Sequence, residues 1–278
     1  MAFSKLIFLL PGLLLATASP LSLTPPPSLP STSHVAFAST YPNRTIAGVT
    51  VIDTPVVRAA QDHARVHSSD FVYNHVMRGW LFGVLLWNHQ QENSTTSNAT
   101  TQQPLDLEVH AVAALLHDLG WDQTPDSPFI SPDRRFEVDG AIASRDFLTQ
   151  HQHDHSAEDD SGKWDHRRTQ LVWDSIALHT TDTIYRYKEP EVQVTGQGIW
   201  QDFQPPQLGI TEEEYAAVVA EFPQTGFRSG VNETLVWLCA SKPKTTYDTF
   251  MQPFGEHFVA NYSAEGHRAY DIIMAAPN

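Results

Sequence analysis

Residues 104–121 read PLDLEVHAVAALLHDLGW. Pro104 opens a helix. Leu105, Val109, Val112, Ala113 and Leu116 recur at a helical period through to Leu119, and Gly120 supplies the stop. His117 and Asp118 fall in the last turn. Adjacent residues on a helix point ~100° apart and cannot share a face, yet at a helix end both can lean toward one ion. An aspartate ending an otherwise apolar helix is costly to bury unless it is paired or bound to a cation. The competing reading is a chance His-Asp pair at a helix cap.

Toward the N-terminus, Asp53-Thr54-Pro55 presents an acceptor side chain and then a proline, the usual order at a helix start. Apolar positions recur through Val56, Val57, Ala60 and Ala64, and again through Phe71, Val72, His75, Val76, Gly79 and Phe82, with a break offered by His67-Ser68-Ser69-Asp70. His75 sits on the inward face of the second piece. From Asn88 to Gln103 the composition turns to Asn, Gln, Ser and Thr without periodicity, which predicts an exposed loop.

Toward the C-terminus, further helices are predicted over 136–148, 169–179, 215–222, 231–240 and 245–258. Thr211 to Glu214 forms a capping box before the third of these. The stretch 151–165, rich in histidine and acid, is a second surface loop; its His151-Gln152-His153-Asp154-His155 run is read as solvated, because flexible ligands lose entropy on ordering. Glu191 to Thr195 is the one strand candidate. No internal repeat is apparent, and the fold class expected is all-α, a single domain.

The first residues read as an address. Lys5 precedes the apolar run Leu6 to Leu15, and Ala16-Thr17-Ala18 is a small-x-small cleavage signal. The run is roughly half the ~20 residues a spanning helix needs, and Pro11-Gly12 breaks it. The division expected is a signal peptide over 1–18, a Pro/Ser-rich linker over 19–45 and a helical domain over 46–278, in a secreted protein. Five N-glycosylation sequons agree with that route, at Asn43, Asn93, Asn98, Asn232 and Asn261. Cys239 is the only cysteine, so no intrachain disulfide can form, and its place in LVWLCA reads as a buried inert thiol. The net charge of −15 and the lack of a basic patch argue against nucleic acid and anionic membranes as partners.

His75, His117 and Asp118, followed by a later lone acid, make a metal-ligand list. Asp202 in WQDF is the first candidate for that acid, and Asp182, three residues after His179, competes with it. Imidazole nitrogen with carboxylate oxygen suits one borderline divalent ion, zinc first, with iron, manganese and nickel admitted; three or four protein ligands leave room for water.

Taken in order, NHVMR (74–78), ALLHDLGW (114–121), FEVDGA (136–141), WDSIALHT (173–180) and EPEV (189–192) with a downstream aspartate resemble the HD-domain metal-dependent hydrolase superfamily, and within it the fungal cyanamide hydratase branch. The resemblance runs from about Thr54 to Phe203. It implies a helical bundle whose core binds a metal through His75, His117, Asp118 and Asp202, with His179 placed to position water or substrate. Some members of the superfamily use extra histidines for a second metal; FEVDGA offers Asp139 there, so one metal is expected. The catalytic candidates are His179, Asp118 and Asp139.

A divalent cation lowers the pKa of bound water from ~15.7 toward ~7, and the implied reaction adds hydroxide to a small nitrile such as cyanamide, giving urea or an amide. A neutral, linear substrate needs a small pocket and few charged clamps, which suits the motif neighbours Phe71, Tyr73, Trp121, Phe136 and Trp173. The branch is intracellular whereas this chain carries a leader and sequons, so an extracellular nitrile or another small neutral compound fits equally. The runner-up is phosphohydrolysis of a nucleotide or phosphoester, for which Arg78, Arg134, Arg135 and Lys188 are the available clamps. A third reading is a secreted metal-binding protein without turnover. The oligomeric state stays open.

Overall fold

In the computed structural model, which describes residues 41–96, 104–154 and 164–277, the first element is a hairpin. Strands β1 (Asn43–Ile46) and β2 (Val49–Ile52) pair antiparallel with Ile46 opposite Val49. The turn between them places Ala47 and Gly48 at φ 49° and 80°, as a two-residue hairpin turn requires.

Eleven α-helices follow among the described residues. They are α1 (Pro55–Val66), α2 (Asp70–Thr96), α3 (Leu107–Leu116), α4 (Phe136–Asp154), α5 (His166–Leu178), α6 (Asp182–Tyr185), α7 (Pro190–Gln201), α8 (Glu212–Glu221), α9 (Phe227–Ser241), α10 (Gln252–Phe258) and α11 (Ala269–Met274). All belong to one compact unit, Ser39–Asn278. No helix is long and apolar enough to cross a membrane among the described residues.

Helix α3 is the axis. Glu108 through Leu116 are all buried, and α1, α2, α5 and α7 pack around it. Asp106 caps it, accepting from the backbone N–H of Glu108 and of Val109 at 3.2 Å each. Arg168 of α5 then ties that cap, 2.7 Å from Asp106 Oδ2 and 2.6 Å from Glu108 Oε2. Helices α2 and α7 cross where Gly79 and Gly83 meet Gly198: a Cβ on Gly198 would lie 2.4 Å from Gly79 O and 2.7 Å from Gly83 N. That close approach brings the middle of α2 against the end of α7.

The helical reading is therefore right in class, with one sheet added. VTVI does alternate, but four residues are a weak signal, and β1 begins inside the segment read as linker. The short alternating run at Glu191 to Thr195, the one strand signal, is part of α7. Pro190 occupies its first turn, and burial on nearly every side leaves the alternation no face to define. Helix α3 starts at Leu107, three residues after Pro104, because Asp106 is the residue that caps it. The two expected loops begin later than their composition suggests, since α2 continues to Thr96 and α4 to Asp154. Extending an existing helix costs little compared with starting one. The remainder of each, 97–103 and 155–163, lies outside the described residues, as does the leader.

The helix expected over 245–258 is a 3₁₀ turn at Pro243–Thr245 and then α10, separated by Asp248 at φ 56°. The break at His67 to Ser69 and the Thr211–Glu214 capping box are as expected. Cys239 is buried. Of the sequon asparagines, Asn43 and Asn261 are exposed and Asn232 is half-buried.

Candidate metal centre

Three helices deliver the candidate ligands. His117 is the C-cap of α3, and its Nδ1 lies 2.8 Å from the carbonyl of Ala114. His75, midway along α2, places its Nδ1 2.7 Å from Asp202 Oδ2. A carbonyl and a carboxylate can only accept, so both imidazoles carry a hydrogen on Nδ1, and in the neutral form each presents a bare Nε2. Those two Nε2 atoms face each other at 3.3 Å. Asp118 Oδ2 lies 3.1 Å from His117 Nε2 and 3.7 Å from His75 Nε2.

With both imidazoles in that form, three lone-pair atoms converge. Neither carboxylate oxygen of Asp118 has a hydrogen-bond partner, although both are buried. Such an arrangement is expensive unless a cation occupies its centre. The donor set of two imidazole nitrogens and one carboxylate oxygen is what a divalent ion accepts, and the three atoms lie within 4.8 Å of one another. The group could hold a metal ion. Burial pushes the Asp118 carboxyl up, but the three imidazoles around it, His117 first and then His75 and His179, outweigh it and hold the group below the ordinary carboxylate range.

His179 repeats the construction of His117. It is the C-cap of α5, with Nδ1 2.7 Å from the carbonyl of Ile176, and its ring centroid is 4.9 Å from that of His117. Its Nε2 is therefore the basic nitrogen, and burial, followed by charge on His117, pushes its pKa down to about 4. Exposure is 1 % at His75, 0 % at His117, 2 % at Asp118 and 4 % at His179, so the group is almost sealed from bulk water. Gly140 lets α4 reach it: a Cβ there would stand 2.8 Å from His117 O. Phe136 at the start of α4 then packs 5.7 Å from His179 and 5.5 Å from Trp121.

Asp202, the C-cap of α7, stands behind His75 rather than among the three. Its Oδ2 accepts from His75 Nδ1 and, at 2.7 Å, from Arg78 Nη2; its Oδ1 accepts from Arg78 Nε at 2.6 Å and Gln224 Nε2 at 2.8 Å. Four donors take up its lone pairs; burial pushes its carboxyl up, but hydrogen bonds and charge from His75 and Arg78 outweigh it and hold it below the ordinary range. Asp182 is on the short helix α6 with its side chain 54 % exposed and an ion pair to Arg186, so it lies outside the group. Asp139 is buried but engaged elsewhere, by Lys242 at 2.7 Å, Arg134 at 2.9 Å and the N–H of Ser131 at 3.1 Å.

The expected cationic clamps are likewise paired. Arg78 also donates to the carbonyls of Phe222 and Pro223. Arg134 binds Asp139, Arg135 binds Glu137, and Lys188 binds Asp174 and Glu189. Of the expected aromatic neighbours, Trp121 and Phe136 are at the group. Phe71 packs on Gly230, Tyr73 on Phe222, and Trp173 under Arg145. Phe203 and Phe227 take their place, with ring centroids 5.3 Å and 5.0 Å from that of His75. Gln224, Phe203 and Phe227 carried no local signal. Arg78 did, being three residues after His75 on the same helix face.

No family model matches this chain, and no curated protein matches it.

Proposed function

We propose that the chain is an HD-type, metal-dependent hydratase that binds one divalent ion, zinc first, at His75, His117 and Asp118, and adds water to a small neutral nitrile. The observation that carries this reading is the buried carboxylate of Asp118, without a hydrogen-bond partner and facing two bare imidazole nitrogens. A divalent ion held by His75, His117 and Asp118 would acidify a water from ~15.7 toward ~7 and polarise the atom that gains negative charge.

The chain's own residues supply the rest. Asp202 and Arg78 hold His75 in one tautomer and one orientation. His179 Nε2, neutral at pH 7, is the base that takes a proton from the attacking water and returns it to the substrate nitrogen. Trp121, whose buried indole N–H lacks a hydrogen-bond partner and whose ring stacks 6.3 Å from that of His75, is a neutral donor beside the group. In the overall reaction a C=O double bond forms, both C–N π bonds open, and both hydrogens of water finish on nitrogen: cyanamide gives urea, and an organic nitrile gives an amide.

Phosphoester hydrolysis ranks lower because it needs free cations. Arg78, Arg134, Arg135 and Lys188 already face carboxylates. The test is to incubate metal-loaded protein with cyanamide, simple nitriles and a nucleotide panel, measuring urea, amide and phosphate. Urea or amide without phosphate supports hydration. Phosphate release selects the hydrolase, and a tightly bound metal with no product selects a binding protein. Passage through a secretory route is part of the same proposal, and glycan mapping at the exposed Asn43 and Asn261 checks it.

A further inference from the structure

A cleft of about 1180 Å³ opens beside the sealed group, and the two share a wall. Phe203 and Phe227 line the cleft and also press on the ring of His75, their own centroids 4.9 Å apart. Further out the lining includes Tyr215, Val231, Phe254 and Phe258. Phe203 is 44 % exposed and Phe258 60 % exposed, so large rings meet water in a concave site divided from His75 by Phe203 and Phe227. Concave apolar surface with a few polar groups is how small-molecule sites are built, typically over ~300 to 1,000 Å³. Cyanamide, with three heavy atoms, would leave nearly all of this cleft empty.

Charge narrows the ligand. Asp202, the acid in the lining, is neutralised by Arg78 and hydrogen-bonded by His75 and Gln224. The walls nearest His75, formed by Phe203 and Phe227, are therefore aromatic and recognise an apolar ring, while the exposed Arg228 is the cationic side chain in the rest of the lining.

On the hydratase reading above, we propose that this cleft binds the organic part of the substrate, so that the substrate class is an aryl- or arylalkyl-substituted nitrile rather than cyanamide itself. The nitrile carbon points past Phe203 and Phe227 toward His75, while the ring rests against Phe254 and Phe258. Water adds across C≡N as before, giving the primary amide, with no other reactant.

The test uses metal-loaded full-length protein and two probes, phenylacetonitrile and cyanamide, with binding followed by calorimetry and turnover by amide or urea. The wild type is expected to bind phenylacetonitrile at least about tenfold more tightly than cyanamide, and Phe258→Ala to weaken that binding about tenfold. Because Phe258 is largely exposed, this change does not endanger folding. The ratio of kcat/KM for phenylacetonitrile to that for cyanamide should fall by a similar factor. Cyanamide turnover without phenylacetonitrile binding overturns the cleft assignment and leaves hydration standing. Phenylacetonitrile binding that Phe258→Ala weakens, with neither probe hydrated, supports the cleft as an aryl site and overturns hydration instead. A dimer in sedimentation that Phe258→Ala dissociates assigns the cleft to a second copy of the chain and overturns the proposal.

Discussion

His75 Nδ1 lies 2.7 Å from Asp202 Oδ2, and that one bond decides which nitrogen of His75 faces His117. Without it the imidazole could turn over and present an N–H to Asp118, which would satisfy the carboxylate and abolish the need for a cation. Asp202 is held in turn by Arg78 through two nitrogens, so α2 and α7 fix the ring together.

Replacing Asp202 by asparagine puts an amide N–H among four donors. Metal affinity should fall about 10- to 100-fold while stoichiometry at saturation stays near one. A competitive chelator titration measures this, and unchanged affinity would show that His75 keeps its tautomer unaided.

His117 and His179 share a local construction but not a role. His117→Ala should lose both metal and turnover. His179→Ala should keep the metal and lose about 10²- to 10⁴-fold in rate, as expected for removal of a general base. Metal content by elemental analysis alongside kcat separates the two, and loss of metal from His179→Ala would make it a ligand.

Stability should rise with pH between about 4 and 6.5. Burial pushes His110 down to about 4, only partly offset by the Trp80 carbonyl; burial and charge on His67 push His63 to about 4. In that window the unfolded chain binds more protons than the folded one, so folding is favoured as pH rises and weakened as it falls. For the fully buried His110, the gap from 6.5 to about 4 corresponds to roughly 3 kcal/mol. Asp118 and Asp202, held below the ordinary carboxylate value, stay ionised there and do not cancel the effect. Urea midpoints from pH 7.5 to 4 should fall, and less steeply in His110→Gln, which cannot take up the proton; equal slopes would exclude His110 as the source.

Gly198→Ala should destabilise by about 1 to 3 kcal/mol or more, because its methyl group meets backbone of α2 and not a side chain that can swing aside. Denaturant unfolding gives the value. The same variant should weaken metal binding, since the α2–α7 crossing carries both His75 and Asp202.

Much of the helical class was legible locally. The apolar stripe before His117, the proline after Thr54 and the Thr211–Glu214 box each act within a turn or two of their own position. Where the reading strayed, a local pattern competed with something distant. The alternation at Glu191 to Thr195 lost to burial on nearly all sides of α7, and the polar tails of α2 and α4 stayed helical because helices propagate cheaply.

The candidate site divides the same way. By itself, the sequence determined that His75 faces inward and that His117 and Asp118 end a buried helix, because helical period and burial cost are properties of a short segment. Only the tertiary structure decided that Asp202 stands behind His75, that Asp139 is engaged by Lys242, that Asp182 faces solvent, and that Phe203 and Phe227 wall the group off. The placement of Asp202, Phe203 and Phe227 depends on how α7 and α9 pack on α2. A crossing is set by the fit of whole faces, here three glycines at one contact, and no spacing within a single segment encodes it.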